Sequence, residues 1–253
     1  MKILGQAAGV TSCRREFTIA STVDAACTAA PIGHGVAVAG PYLVTAYLPE
    51  YRCAAGMMGA TMSIASLLAF GGALADTLAS VHGSGIVHCD VKPSNLLVGD
   101  NDVRLIDFGI SQYVGEQIAN DGFVRCSRGW AAPEQLRGAP LAPSADVFAW
   151  GSVLAYLSTG FHPFSGRPFS GRHEVEWILR VGSGCPDLSG LHPGVDAAVR
   201  AALAHHPGDR PSARELAAIC REAGRQLPAA ELTIGPRSAA GRAARAGVAT
   251  AAS

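Results

Sequence analysis

The residues with the clearest chemical capacity form a short run near the middle of the chain. Asp90, Lys92 and Asn95 lie close together, and Asp107 follows further along. Carboxylates and amides offer oxygen atoms that accept protons or bind hard cations, and a lysine ammonium is a compact point charge. Lysine is scarce, because Lys2 and Lys92 are the only lysines among twenty basic residues. Coding bias is one explanation of this scarcity, and the other is that both lysines serve where the planar fork of arginine would not.

The elements that must position these residues can be predicted from local patterns. Short apolar runs at 95–98 and 103–106 flank Gly99-Asp100-Asn101-Asp102, which is typical of a β-hairpin. Ser12 is predicted to cap a helix that runs to about Ala29. Further strands are predicted at 36–38 and 42–47, and further helices at 63–82, 145–158, 173–181, 195–205 and 212–225.

Two motifs in this region resemble those of the protein kinases. The run His88-Cys89-Asp90-Val91-Lys92-Pro93-Ser94-Asn95 is similar to the catalytic loop H-R-D-L-x-x-x-N, and Asp107-Phe108-Gly109 matches the metal motif D-F-G. Four further landmarks follow in the family's order, and the resemblance covers roughly residues 2–224. They are A-P-E at 132–134, D-V-x-x-x-G at 146–151, T-G-x-x-P-F at 159–164 and R-P-S at 210–212.

The resemblance implies an α+β chain with the two-lobed protein-kinase fold. Residues 1–50 would form an N-lobe with a small antiparallel β-sheet that lacks its first two strands, together with the hinge. Residues 51–225 would form a mainly helical C-lobe. Residues 226–253, rich in Ala, Gly and Arg, are predicted to be a disordered tail.

The resemblance also implies a serine/threonine protein kinase of bacterial type that uses ATP and Mg²⁺. Asp90 would accept the proton of a substrate hydroxyl, and Asn95 and Asp107 would bind Mg²⁺ through their oxygen atoms. Lys92, two residues after Asp90, would neutralise the moving phosphoryl group. In the family, a lysine at this place goes with serine/threonine specificity.

Five further residues are predicted to bind the nucleotide. Lys2 resembles the lysine that holds the α- and β-phosphates, with Glu16 as the glutamate that orients it. An equally open alternative is that Lys2 is a frayed terminal residue. Ala46 and Leu48 lie in the segment similar to the hinge that holds adenine, and Leu97 follows the catalytic loop.

Four other positions are expected to support the site. Glu134 and Arg210 are expected to form a buried ion pair that ties the substrate-binding segment to the lower lobe. Asp146 is expected to accept backbone N–H groups of the catalytic loop. Ser127 falls where the family has a hydroxyl that contacts the catalytic aspartate and lysine.

The sequence departs from the family at its start. No glycine-rich loop precedes Lys2, and Gly33-His34-Gly35-Val36-Ala37-Val38 is interpreted as a strand and turn. The favoured explanation is that Met1 is an internal residue of a longer kinase. The alternative is that the loop covering the ATP phosphates is missing or is supplied by a partner. A pseudokinase that binds a partner without phosphotransfer is the alternative function. A small-molecule phosphotransferase is disfavoured by the segment 132–134, which serves protein substrates in the family.

Cys89 replaces the arginine of H-R-D, which in the family clamps a phosphate on the activation loop. The resulting hypothesis is that activity does not depend on phosphorylation of residues 110–125. Ser111 and Tyr113 are the only hydroxyl side chains in that segment.

Composition excludes several classes of protein. The 253 residues are 49% hydrophobic, and twenty basic residues balance twenty acidic ones, so neither disorder nor binding to nucleic acid or an anionic membrane is expected. Seven cysteines without a C-x-x-C pair indicate a reduced, cytoplasmic protein. Residues 53–75 carry no charge, but their glycines and hydroxyls favour a buried core helix over a membrane span. The start only loosely resembles an export signal. A protein substrate is the expected partner, and the oligomeric state stays open.

Overall fold

The computed structural model describes residues 2–3, 9–58, 61–116, 126–127, 129–165 and 174–227. The chain begins with a small sheet and one helix. Strand β1 pairs with β3, which pairs with β2, and both pairings are antiparallel. The bounds of these elements are β1 Lys2–Ile3, α1 Val10–Thr22, β2 Pro31–Ala37 and β3 Gly40–Thr45.

The hairpin between β2 and β3 depends on two glycines. Gly40 has φ 125°, a backbone conformation that glycine adopts readily and other residues rarely adopt. A Cβ atom at Gly35 would lie 2.6 Å from the Tyr42 hydroxyl oxygen, so the tyrosine ring occupies the space that a side chain would need. The interpretation of the glycine-containing segment 33–38 as strand and turn is therefore confirmed.

The predicted bounds of the first helix were wrong at both ends. Gly9 is its N-cap, so Ser12 lies inside α1, and the helix ends at Thr22 instead of near Ala29. The early end has a local cause. Asp24 accepts the Ala26 N–H through its side chain at 2.8 Å, which stabilises a turn that competes with the helix.

The remaining elements form the helical part of the chain, and the predicted helices and hairpin are confirmed to within a few residues. The helices are α2 Ile64–Gly83, α3 Pro133–Leu136, α4 Ser144–Thr159, α5 Glu174–Ser183, α6 Pro193–Ala202 and α7 Ala213–Arg225. The strands are β4 Arg52–Cys53, β5 Ile86–Val87, β6 Leu96–Val98, β7 Val103–Leu105 and β8 Gln112–Tyr113. Of the predicted tail, only Gln226 and Leu227 lie within the described residues.

Helix α2 is the central helix of the core. It packs against α4 and α7, and Leu74 and Leu78 on it are completely buried. The Trp150 indole N–H of α4 donates to the Gly71 carbonyl at 2.9 Å, where the small glycine allows close approach. Within the described residues, α2 is the one helix long and apolar enough to cross a membrane, yet 61% of its most apolar window is buried by the protein. The prediction of a core helix over 63–82 is confirmed.

Two small antiparallel sheets carry the segments that hold the site. Strands β4, β6 and β7 form one sheet in that order, and β5 pairs with β8 in another. The Leu105 N–H donates to the Cys27 carbonyl at 2.8 Å, which joins the hairpin to the segment after α1. The β6–β7 hairpin is therefore hydrogen-bonded both to β4 and to the segment after α1.

The predicted ion pair between Glu134 and Arg210 is present and bidentate. The guanidinium nitrogens of Arg210 lie 2.6 and 3.0 Å from the two carboxylate oxygens of Glu134. The Arg210 side chain is fully buried and also donates to the carbonyl groups of Ser144, Ala204 and His205. This charge network joins α3 to the start of α4 and to the turn before α7.

Replacement of Arg210 by methionine should destabilise the protein strongly, because it leaves the Glu134 carboxylate buried without its partner. We expect the free energy of unfolding to fall by about 3–5 kcal/mol in a denaturant titration. Arg200→Met is the matched control, since it removes the exposed pair between Arg200 and Asp196 within α6. Equal losses for the two variants would contradict the structural role of the buried pair.

Candidate active site

The conformation of the loop after β5 is set by the carboxylate of Asp146. Its two oxygens accept the backbone N–H groups of His88 and Cys89, each at 2.8 Å, and the His82 ring nitrogen Nε2 donates to it at 2.8 Å. Burial alone would raise the pKa of this carboxyl, but the hydrogen bond and charge of His82, together with the hydrogen bond from the His88 N–H, outweigh burial and lower the pKa below its usual value. The predicted bracing role of Asp146 is confirmed.

This bracing holds Cys89 in a strained conformation. Cys89 has φ 67°, in the left-handed region that disfavours residues other than glycine. The Gln135 side-chain amide donates to the Cys89 carbonyl at 2.8 Å. The loop is therefore held on both sides of Cys89, which directs the following residue, Asp90, into the site.

His88 is a buried, neutral support of the same loop. Its Nδ1 accepts the Asp90 N–H at 3.3 Å, and its Nε2 donates to the Ile106 carbonyl at 3.2 Å. Burial lowers the pKa of His88 below its usual value. A protonated ring would place a donor against the Asp90 N–H, so the hydrogen bonds require the neutral form.

The structure brings Asp90, Lys92 and Asn95 together into one group. Oxygen Oδ2 of Asp90 accepts from the Lys92 ammonium at 2.8 Å and from the Asn95 amide at 2.9 Å. The Lys92 ammonium also donates to the Ser127 hydroxyl at 2.5 Å, which confirms the predicted contact of Ser127 with the lysine. The other Asp90 oxygen, Oδ1, is buried and has no hydrogen-bond partner among the described residues.

Asp107 and Glu16 form a second group beside the first. The Ile106 N–H donates to the Asn95 carbonyl at 3.0 Å, which places Asp107 next to the catalytic run. A Cβ atom at Gly109 would lie 3.2 Å from an Asp107 oxygen and 3.3 Å from a Glu16 oxygen, so both carboxylates converge on this glycine. Glu16 is 3% exposed although it lies on α1, far away in sequence.

The other predicted nucleotide residues lie on separate elements. The backbone of Lys2 on β1 is paired opposite Leu43 of β3, the strand that leads to the predicted hinge. In that hinge, the Ala46 N–H donates to the Ala30 carbonyl at 2.8 Å, and Leu48 is half-buried. Leu97 is half-buried on β6. Nucleotide binding by these four residues stays a prediction.

Few side chains of the site could serve as ligands for Mg²⁺. No group of three or more His, Cys, Asp or Glu side chains suited to a metal occurs in the described part of the chain. Asn95 and Asp107 offer hard oxygen ligands, and Mg²⁺ characteristically binds one or two carboxylates while substrate phosphates and waters complete its shell. The residues present therefore fit a magnesium ion that arrives with a nucleotide.

Two residues that support the site, Gln135 and Arg15, were not found from the sequence. Gln135 was missed although it directly follows the recognised segment 132–134. Its side-chain oxygen accepts the Ala132 N–H at 3.0 Å, which is the glutamine half of a capping box, but alanine lacks the side chain that would complete the sequence signal. Arg15 was not singled out either. It donates to Glu116, which is 101 positions away, and no local pattern indicates such a pairing.

The sequence of the chain matches one family model and several known proteins. A sequence model described as the protein kinase domain matches residues 42–219, which is more than half of the chain. The chain is 32% identical over 205 residues to the probable serine/threonine-protein kinase PkwA of Thermomonospora curvata, covering 80% of this chain and 26% of that protein. It is 33% identical over 211 residues to the serine/threonine-protein kinase AfsK of Streptomyces coelicolor, covering 81% of this chain and 25% of that protein.

A third relative matches a shorter stretch of this chain at higher sequence identity. The serine/threonine-protein kinase PknK of Mycobacterium bovis is 38% identical over 149 residues, covering 57% of this chain and 13% of that protein. The chain thus matches about a quarter or less of the length of each of these three relatives.

The buried neutral state of His88 predicts a loss of stability in acid. Because the folded pKa is lowered, the unfolded imidazole takes up a proton that the folded one refuses, so stability is present above about pH 6.5 and is lost as the pH falls below it. Urea titrations between pH 8 and pH 5 should show a smaller decline for His88→Phe than for the unchanged protein. The same decline in both proteins would contradict this role of His88.

Proposed function

Because the chain belongs to the protein kinase domain family, we propose that it transfers the γ-phosphate of Mg·ATP to a serine or threonine hydroxyl of a protein. One observation carries the proposal. Asp90 presents a buried oxygen, Oδ1, without a hydrogen-bond partner among the described residues, while its other oxygen is held by two neighbours. A buried carboxylate oxygen left in this way is suited to accept a hydrogen bond from a substrate hydroxyl.

Asp90 would act as the proton acceptor. The hydroxyl oxygen of the substrate forms a bond to the γ-phosphorus, and the bond from that phosphorus to the bridging oxygen of the departing nucleoside diphosphate breaks. The hydroxyl proton passes to Asp90. The hydrogen bonds from Lys92 and Asn95 to Oδ2 fix the orientation of the carboxylate, so Oδ1 faces the incoming group without further rearrangement.

Lys92 would provide the positive charge that the transferred group needs. An ammonium carries three donor hydrogens, and the described residues take two of them, at Asp90 and Ser127. The remaining hydrogen is available for a phosphoryl oxygen. The contact with Ser127 also ties the position of the ammonium to the segment before α3, which in this family binds the protein substrate.

Asn95, Asp107 and Glu16 would organise the metal and the nucleotide. Mg²⁺ supplies charge neutralisation for the phosphate oxygens of the nucleotide. Asn95 and Asp107 would hold it through their side-chain oxygens. Glu16, buried beside Asp107, would orient the ammonium of Lys2 toward the phosphates.

The proposal includes a protein substrate and a reducing, cytoplasmic setting. The relatives are named serine/threonine-protein kinases, and the segment around Glu134 is anchored by the buried pair with Arg210. All seven cysteines lie in the described part of the chain, and no disulfide joins any of them there, which supports a reducing compartment. The balanced charge supports a role without binding to nucleic acid or an anionic membrane.

Replacement of Asp90 by asparagine tests this function. The amide cannot accept the proton, so kcat for phosphate transfer from Mg·ATP to a generic protein substrate should fall by about 10²- to 10⁴-fold. Phosphoamino-acid analysis of the product should find phosphoserine or phosphothreonine. The unfolding midpoint should change little, because asparagine has nearly the same shape.

The matched control is Asp196→Asn, which makes the same substitution at a partly exposed position of α6 and should leave kcat unchanged. Equal, background-level transfer by the unchanged protein and Asp90→Asn would contradict the proposal. If nucleotide binding persisted in that case, the pseudokinase alternative would be favoured.

A further inference from the structure

A charged contact joins α1 to the segment that follows Gly109. One guanidinium nitrogen of Arg15 donates to the Ser111 carbonyl at 2.6 Å, and another donates to the Glu116 carboxylate at 2.6 Å. The same Glu116 oxygen, Oε2, accepts the Tyr113 N–H at 2.9 Å. These three contacts hold α1, β8 and the turn after β8 as one unit.

The contact lies beside the residue that positions the nucleotide. Arg15 directly precedes Glu16, whose carboxylate converges with that of Asp107 on Gly109. Anchoring of Arg15 therefore limits both the rotation of α1 and the distance of Glu16 from Asp107. Strand β8 is in turn paired with β5, the strand that leads into the catalytic loop.

The side chains of Cys89 and Ser111 are poorly suited to bind or carry a phosphate group at the catalytic loop. Cys89 is buried, and burial raises the pKa of its thiol, so the side chain stays neutral. Ser111 is also completely buried, and its hydroxyl donates to the His88 carbonyl at 2.9 Å. A phosphate on Ser111 would require this hydrogen bond to break and the segment to move out of the core.

We propose that Arg15 and Glu116 are positioning residues that keep α1 and the segment 111–116 assembled without any phosphorylation. The Glu116 carboxylate supplies, as part of the chain, the negative charge that Arg15 requires. Both side chains are about one-third exposed, and the Arg15 guanidinium and Tyr113 N–H restrain the carboxylate from two sides. Hydrogen bonds to the carboxylate, chiefly those of the Tyr113 backbone and Arg15, outweigh burial and lower the pKa of Glu116, so the charge persists at neutral pH.

The experiment compares the unchanged chain with Glu116→Gln, Arg15→Met and the double variant. Hydrogen exchange is measured over residues 111–116 and 10–22, together with kcat and the KM values for Mg·ATP and for the protein substrate. The kinetic readout rests on the proposed function, whereas the exchange readout does not. Asp196→Asn serves as the matched control, because it removes the charge of an exposed carboxylate paired with an arginine on α6.

We expect each single variant to speed exchange in both segments and to lower kcat by about fivefold, with a raised KM for Mg·ATP and an unchanged KM for the protein substrate. Addition of Glu116→Gln to Arg15→Met should cause no further loss in kcat, since the carboxylate acts on α1 through Arg15. Phosphatase treatment of the unchanged chain should leave transfer and exchange as they were.

Two results would overturn the proposal. One is unchanged exchange in Glu116→Gln and Arg15→Met, and the other is a loss of transfer or faster exchange after phosphatase treatment. If the unchanged chain showed no transfer at all, the proposed function would fail. The clamp between Arg15 and Glu116 would then be accepted or rejected on the exchange data alone.

Discussion

The buried carboxylate of Asp146 is the interaction on which the site depends. A charge without solvent is costly unless it is fully hydrogen-bonded, and here two backbone N–H groups and the His82 ring satisfy it. The same bonds hold the strained backbone at Cys89, which directs Asp90 into the site. The hydrogen bonds that stabilise the buried Asp146 carboxylate therefore also set the geometry of the catalytic loop.

The helical core makes this constraint possible. Asp146 lies in the first turn of α4, where the helix dipole favours a negative charge, and His82 lies in the last turn of α2, where it favours a positive one. The two helix ends meet because α2 and α4 pack along their apolar faces, with Trp150 bonded to Gly71 at their contact. Hydrophobic burial thus supplies the free energy that keeps a polar, strained loop in place.

The site consists of two groups that are positioned differently. Asp90, Lys92 and Asn95 belong to one loop and are held together by short hydrogen bonds within it. Glu16 and Asp107 come from different parts of the chain and converge on Gly109 only if α1 is correctly placed. The mutual positions of the first group are therefore set mainly within the loop, whereas those of the second depend on contacts that α1 makes with distant segments.

The sequence by itself determined the family, the residues of the catalytic loop, the bounds of the longer helices after α1 and the β6–β7 hairpin, because these are expressed in motifs and in the periodicity of apolar residues. The strand predicted at 36–38 begins at Pro31 instead, and the two-residue strands β4, β5 and β8 are too short to leave a pattern. The sequence pattern predicted the wrong end for α1, because the Asp24 side chain accepts a hydrogen bond that favours a turn there. The periodicity of apolar residues gives no sign of such a local hydrogen bond. Only the tertiary structure decided that Arg15 meets Glu116 and that Glu16 meets Asp107 at Gly109. Charged pairs between distant segments have no sequence period, and the packing of α1 against the strands and loops of the rest of the chain determines which side chains come within hydrogen-bond distance.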